Sequence, residues 1–384
     1  MSEVAQAPQL RFPEFSGEWK EKKLDSVVSK FIVPMRDKPT DLTGSIPWCR
    51  IEDFDGMYLN QSKTGQGVSE ETVKEMNLKV YPINTLLVSC SANLGFCAIV
   101  KKELITNQTF IGLQSNDNLI NIEFLYYLMK LSSRRLNILS SGTTISYLSR
   151  REFENFKITT PSLPEQQKIA AFLTAVDNKI EQLSKKQELL GEYKKGLMQQ
   201  IFSQAIRFKA DDGSEFPDWE EKKLRDVAKI TTGSSNREDS GLDGQYTFFD
   251  RSEDIRTSDR YLFDGKAVIV AGEGSRFPPK YFEGKFDLHQ RTYAIMEFVE
   301  ANSKYIFYFV DKQKNYLLRY AVGSTVKSLR LPIFQKMPVS LPSLPEQTKI
   351  ANFLSSIDNK IEQVGGQLDK SKQFKKALLQ QMFV

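Results

Sequence analysis

The residue types that carry most enzyme chemistry are scarce in this 384-residue chain: there is one histidine, His289, and three cysteines, Cys49, Cys90 and Cys97. No C-x-x-C pair occurs, which excludes zinc sites of the usual His/Cys type, and a histidine-based triad would rest on His289 alone. No G-x-x-x-x-G-K-[ST] run is present to cradle a nucleotide phosphate, and no G-x-S-x-G turn to present a nucleophile. Gly272-Glu-Gly274-Ser-Arg-Phe277 begins like a dinucleotide loop but lacks its third glycine. Phe277-Pro-Pro-Lys-Tyr281 resembles an amino-methyltransferase loop, without the amide or carboxylate that would hold a reacting amine. The expectation is a chain with no catalytic residues and no metal site.

What remains are side chains suited to binding. Ser89, Ser91 and Asn93 lie in a loop of small polar residues, Ser89–Phe96, and Ser275, Arg276 and Lys280 lie in its counterpart, Ala271–Tyr281. A second matched pair of segments holds Ser141, Thr143, Thr144 and Arg150 in the first half, and Ser324, Thr325 and Lys327 in the second. Arg291 follows His289 at the start of a β-type run. Hydroxyls and backbone N–H groups at glycine turns suit phosphate, and arginine is the best bidentate reader of guanine, so these residues are expected to bind DNA. His289 fits a structural or DNA-contacting role better than that of a lone general base. Plain turns would use the same residue types. The charge is only weakly basic: 53 Lys and Arg against 48 Asp and Glu, net +5. Any basic surface must therefore come from clustering.

The elements that position these loops come in two copies. Pro161–Leu173 recurs as Pro342–Leu354 with 11 of 13 positions identical, and the ungapped match continues to Phe202 and Phe383 with 23 of 42 identical, at an offset of 181. Trp19–Leu24 recurs as Trp219–Leu224 at an offset of 200, and Gly142-Thr-Thr resembles Gly323-Ser-Thr. Between these borders the two stretches diverge and differ in length by 19 residues. Each repeated block reads as one long helix. Ser162 with Glu165, and Ser343 with Glu346, form capping-box signatures. Ile169, Leu173, Val176, Ile180 and Leu183, and then Ile350, Leu354, Ile357, Ile361 and Val364, step by 4 and 3 as in a coiled-coil seam. Gln187 and Lys194 interrupt the first seam, and Ser371 and Lys375 the second, in a way that suits antiparallel pairing within one chain. Gly365-Gly366 predicts a bend or a close approach.

The repeat also carries polar residues unchanged: Glu165, Gln166, Asp177, Asn178 and Lys179 reappear as Glu346, Gln347, Asp358, Asn359 and Lys360. Read as exposed, they predict that both helices meet the same kind of partner. The divergent interiors mix short β-type runs (Thr85–Ser89, Phe96–Val100, Lys266–Val270, Arg291–Glu297) with helical patterns (Ile122–Leu131, Ser303–Tyr316). No apolar run reaches the ~20 residues of a membrane-spanning helix, and the opening residues lack an apolar signal core. With an odd number of cysteines, the expected location is cytoplasmic.

These borders and helices resemble the specificity subunit of type I restriction–modification systems. The resemblance rests on the two P-S-L-P-E-Q-x-K-I-A helix starts, on WKEKKL and WEEKKL, and on the Gly-Thr-Thr and Gly-Ser-Thr segments. It implies an α+β chain: two mixed α/β target-recognition domains (25–160 and 225–341) separated by two long antiparallel coiled-coil helices (161–203 and 342–384), in an internal pseudo-two-fold repeat. Shared regions at 1–24 and 204–224 complete it. Each domain would read one half of a bipartite double-stranded DNA target. The helices would set the half-site spacing and dock methyltransferase subunits, two in number, with restriction subunits as further partners. Magnesium, ATP and S-adenosylmethionine would belong to those partners, none being bound by this chain. The competing reading is a coiled-coil scaffold with two protein- or glycan-binding domains.

Overall fold

The computed structural model describes residues 7–34, 38–91, 93–140, 147–252 and 254–384. The chain divides into two compact units, Met1–Leu183 with Gln367–Val384, and Ser184–Gly366. Each unit therefore draws residues from both long helices, which run unbroken over Leu163–Phe202 and Leu344–Gln381.

The first unit is built on a five-stranded sheet in the order Val28–Ile32, Phe110–Ser115, Thr85–Ser89, Cys97–Val100, Tyr58–Leu59, antiparallel except for the last pair. Alternate residues of its central strand enter two cores. Leu86 and Val88 face the helix Ile122–Leu131, packing with Phe124 and Leu125, while Leu87 joins Ala98, Val100 and Phe110 on the other side. Burial on both faces explains why Thr85–Ser89 is a continuous apolar run flanked by hydroxyls. A smaller three-stranded sheet (Gly67–Val68, Ile46–Cys49, Ile105–Thr106) is added to this unit.

The second unit repeats the same five-strand order despite the sequence divergence: Lys229–Thr232, Thr292–Met296, Phe263–Ala271, Lys280–Leu288, Tyr246–Phe249, again with only the last pair parallel. Arg256–Ser258 adds a sixth strand at the edge. The helical pattern expected over Ser303–Tyr316 is broken at Gln313 into Ser303–Lys312 and Lys314–Tyr320.

Both units are held by the same frame. The repeated Trp-containing block forms a strand that closes against the segment entering the long helix: Lys20–Lys23 pairs with Lys157–Thr160, and Glu220–Lys223 with Pro338–Leu341. Glu165, expected to close a capping box, instead faces Arg11, which donates from Nε at 2.7 Å and from a terminal nitrogen at 2.7 Å; Trp19 Nε1 donates at 3.3 Å. Glu346 is held likewise by Arg207 (3.2 and 2.9 Å) and Trp219 Nε1 (3.2 Å). Ser343 Oγ is buried with no hydrogen-bond partner among the described residues, so that capping box does not form.

Within each unit the long helices pair through a polar lock. In the first, Lys375 meets Asp177, whose Oδ2 accepts from Tyr127 Oη at 2.8 Å. In the second, Lys194 meets Asp358 at 2.5 Å, and Tyr308 Oη donates to Asp358 Oδ2 at 2.6 Å. The lysines that interrupt the apolar seam are thus matched to aspartates of the opposite helix, as antiparallel pairing requires. Gly365 lies in an unbroken helix and makes a close approach: a Cβ there would stand 2.7 Å from Gln187 Nε2. Cys49, Cys90 and Cys97 are free thiols, all buried. Among the described residues no helix is long and apolar enough to cross a membrane.

Candidate nucleic-acid interface

Within each unit, the loop from the first matched pair is joined in space to the segment from the second. In the first, Ser91 bridges Tyr147, and Cys90 O accepts from Leu148 N at 2.9 Å. In the second, Glu273 and Gly274 form a short ladder with Ser328 and Lys327, and Gly272 O accepts from Leu329 N at 2.7 Å. Each junction lies where a central strand ends, so the sheet holds both loops at one edge.

The individual residues divide by exposure. Ser89 is buried, its Oγ donating to Ser91 O at 2.8 Å, which corrects the expectation that it contacts DNA. Ser91 is half-buried and Asn93 exposed. Ser141, Thr143 and Thr144 lie outside the described residues. Arg150 is exposed but paired with Glu154 at 2.6 Å. In the second unit Ser275, Arg276, Ser324 and Thr325 are exposed, and Lys327 is half-buried in the ladder. Lys280 is half-buried and donates to Ser252 O at 3.0 Å. Arg291 is exposed, with a terminal nitrogen 2.8 Å from Glu273.

The second unit gathers further cationic groups here: Arg251 and Arg260, both expected from the sequence to supply positive charge, and Arg237, which was not singled out. Arg251 also reaches Glu273 (3.5 Å), Arg237 reaches Asp250 (3.9 Å), and Arg260 approaches Asp287 (3.7 Å) and Asp239 (3.1 Å). Asp287 is fully buried and receives Ser235 Oγ at 2.5 Å, Ser258 Oγ at 2.8 Å and Leu288 N at 2.8 Å. Burial opposes ionisation of Asp250, yet hydrogen bonds from the Ser252 hydroxyl and N–H, with Arg237 and His289 nearby, hold its carboxyl below the usual range. Burial lowers the pKa of His289; Asp250 opposes this, while Arg291 and Arg251 add to it. Its Nδ1 accepts from Arg291 N at 3.1 Å, so the imidazole helps to hold the turn. Two glycines permit this packing. A Cβ on Gly233 would sit 1.6 Å from Leu288 O, and one on Gly272 2.4 Å from Arg291 O.

The helix residues read as partner contacts also divide. Glu165, Gln166, Glu346 and Gln347 are buried and spent inside their units, which corrects their assignment to an exposed docking face. Gln166 Oε1 accepts from Asn121 N at 3.0 Å, and its Nε2 donates to Leu119 O and Pro161 O. Gln347 does the same with Asn302 N at 2.7 Å, Glu300 O and Pro342 O. Asp177 and Asp358 are half-buried in the locks, while Asn178, Lys179, Asn359 and Lys360 are exposed. Sequence reasoning missed Asn121, Tyr127 and their counterparts Asn302 and Tyr308, although both pairs keep the 181-residue offset. It also missed Arg11 and Arg207, each followed by phenylalanine upstream of the repeated tryptophan.

Comparison with known proteins places this architecture. The family model described as type I restriction modification DNA specificity domain matches residues 16–190 and 217–370. The type I restriction enzyme MjaIX specificity subunit of Methanocaldococcus jannaschii is 34% identical over 203 residues, 50% of this chain and 47% of that one, so the match spans about half that relative's length. The MjaVIII specificity subunit of the same organism is 27% identical over 347 residues, 81% of each chain. The fold matches the S subunit of a type I restriction–modification system from M. genitalium with a TM-score of 0.69 at 17% identity, over 99% of both chains. With two family segments covering both units, the chain belongs to the type I restriction modification DNA specificity family.

Proposed function

We propose that this chain selects DNA sites for a type I restriction–modification complex, each unit reading one half of a bipartite target. The observation that carries this reading is the contrast within each unit. The frame and five-strand sheet are the same in both, while the joined loops at the sheet's end differ in length and residue type. Such a design keeps the reading edge in a constant position and changes only what is read. Phosphate contacts from the arginines and lysines set register, and a few side chains on each unit read base edges.

The long helices set the spacing between half-sites and dock methyltransferase subunits, for which the exposed Asn178, Lys179, Asn359 and Lys360 are repeated candidate contacts. The chain itself is non-catalytic. S-adenosylmethionine, ATP and magnesium are used by the partner subunits.

The test is to map methylated sites in a genome with and without this chain, its modification subunit being present in both. A bipartite motif that appears only with the chain supports the reading. No chain-dependent motif, combined with no salt-dependent DNA binding by the complex, would defeat it and favour a scaffold.

A further inference from the structure

On the edge of the second unit, Gln290 Nε2 donates to Asn236 Oδ1 at 2.7 Å, and both side chains are exposed. Two exposed amides rarely hold each other unless their backbones are fixed, because water competes for every donor and acceptor. Here the backbones are fixed. Ser235 and His289 form a parallel bridge, Gln290 N donates to Ser235 O at 3.0 Å, and Asn236 N donates to Asp239 Oδ2 at 2.7 Å. Gly233 seats this turn against Leu288, where no other residue would fit.

Four arginines belong to the same edge: Arg237 and Arg291 are the chain neighbours of the two amides, and Arg251 and Arg260 join through Glu273 and Ser235. Their side chains are 57%, 61%, 59% and 54% exposed, yet each lies within 4 Å of a carboxylate, and Asp250 and Asp287 among these are buried. Carboxylates behind the guanidinium groups hold them in place with their outer faces toward solvent. They also cancel much of the local charge. The edge is therefore built for orientation more than for bulk attraction.

We infer that Asn236 and Gln290 form a pre-oriented amide pair that reads an A·T base pair in the half-site of the second unit. This rests on the DNA-reading function proposed above and adds the residues and the base class. With one N–H spent on Asn236, Gln290 keeps its Oε1 acceptor and its second N–H. That combination matches adenine in the major groove, which offers the N6 donor and the N7 acceptor side by side. Asn236 steers the glutamine and keeps its own N–H donors for a neighbouring acceptor.

The experiment is methylation-motif mapping in cells carrying the full chain and its modification subunit. The second unit's half-site is first identified as the one altered when residues 225–341 are exchanged for those of a relative. Gln290→Ala is expected to relax discrimination at one A·T position of that half-site by about 10- to 100-fold, leaving the other half-site unchanged. Asn236→Ala relaxes the same position to a smaller degree. Gln290→Glu, which offers acceptors only, shifts preference at that position toward cytosine. Unchanged motifs in Gln290→Ala and Asn236→Ala, with methylation retained, overturn the inference while leaving the proposed function standing. So does relaxation confined to the other half-site. If Gln290→Ala abolishes methylation, Gln290→Asn decides: recovery of the motif supports the amide's role, and no recovery overturns it. A wild-type chain that directs no motif defeats the DNA reading itself, and the amide pair with it.

Discussion

Lys194 on one long helix and Asp358 on the other meet at 2.5 Å inside the second unit, at a point where the apolar seam would otherwise be continuous. A lysine at a seam position lowers coiled-coil stability but fixes register, because only one alignment supplies its partner. Tyr308 takes the second carboxylate oxygen, and its ring lies 5.0 Å from the Lys194 ammonium, so one aspartate organises both neighbours. Asp358→Asn is expected to destabilise the second unit by about 1.5–3 kcal/mol, the usual worth of a hydrogen bond to a charged group. The exchange Lys194→Asp with Asp358→Lys should recover part of that loss. Thermal unfolding of the single and double variants gives the coupling, and a double variant worse than the sum of the singles would contradict a lock.

The locks also make helix length a matched quantity. Asp177 and Lys194 stand 17 residues apart on one helix, and Asp358 and Lys375 17 apart on the other. Deleting the heptad Ile180–Lys186 alone leaves one lock unmade, with loss of assembly or a strained pairing. Deleting Ile361–Gln367 as well restores both. The double deletion should shorten the half-site spacing by about 3 base pairs, since seven residues rise roughly 10.5 Å, without changing either half-sequence. Methylation mapping reads both outcomes.

Arg11 guards a carboxylate that has little water. The side chain of Glu165 is 2% exposed, so removing its guanidinium partner leaves a buried charge. Arg11→Ala should cost about 3 kcal/mol in the first unit. Arg11→Lys should recover only part, because an ammonium cannot copy the two-nitrogen fork. Denaturant titration followed by tryptophan fluorescence would show the ranking, and equal midpoints for all three chains would exclude the clamp.

Arg276, at the loop edge of the second unit, is expected to contact phosphate. Arg276→Ala should weaken binding to DNA bearing the second half-site and lower the slope of log affinity against log salt by about 0.9. Preference for the first half-site should persist. An unchanged slope and affinity would remove this residue from the interface.

The thiols give a pH dependence with a definite sign. Burial pushes Cys49 up to about 12, with Asp53 adding to it; burial also pushes Cys90 up to about 11 and Cys97 up to about 12. In the unfolded chain these groups ionise near pH 8.5. Between that value and 11–12 the folded state holds more protons, so stability falls as pH rises through this window. At pH 8 a thiol reagent should find no fast-reacting group in the folded protein and three after denaturation. Rapid labelling of the native chain would show that a cysteine is accessible.

The helices were legible because a helical period and a second copy say the same thing twice, and the apolar run Ile122–Leu131 bounded its helix correctly; the Asn121 cap that starts it was seen only in the structure. The common sheet was not legible. Where a strand is buried on both faces, as over Thr85–Ser89 and Ala267–Val270, the position constrains volume rather than identity, so the two central strands share a place without sharing a pattern. At the candidate site, pairing the loops across the duplication matched equivalent places in the two units, but the contact between the two loops of one unit was seen only in the structure. Ser89 was misplaced because a hydroxyl at a strand end can be used internally as readily as outside. Glu165 and Gln166 misled for a related reason: polar identity repeated in two copies marks a shared hydrogen-bonding duty, and here that duty is inside. Arg260 and Asn236 carried no spacing signal, since turns far apart in sequence bring them to Ser235 and Gln290.

The two-stranded pairing of Lys23 with Lys157, and of Lys223 with Pro338, has a consequence for how such chains diversify. It fixes the entry and exit of each interior on adjacent strands, about 5 Å apart, whatever length lies between them. An interior is in this sense a graft with a standard port. A different graft whose ends also lie side by side, and which again supplies the contacts that Asn121 and Tyr127 make to Gln166 and Asp177, can occupy the port without disturbing Arg11, Glu165 or the helices. On the proposed function, insertions inside the port are expected to alter what is read, and insertions in the helices only where the reading takes place.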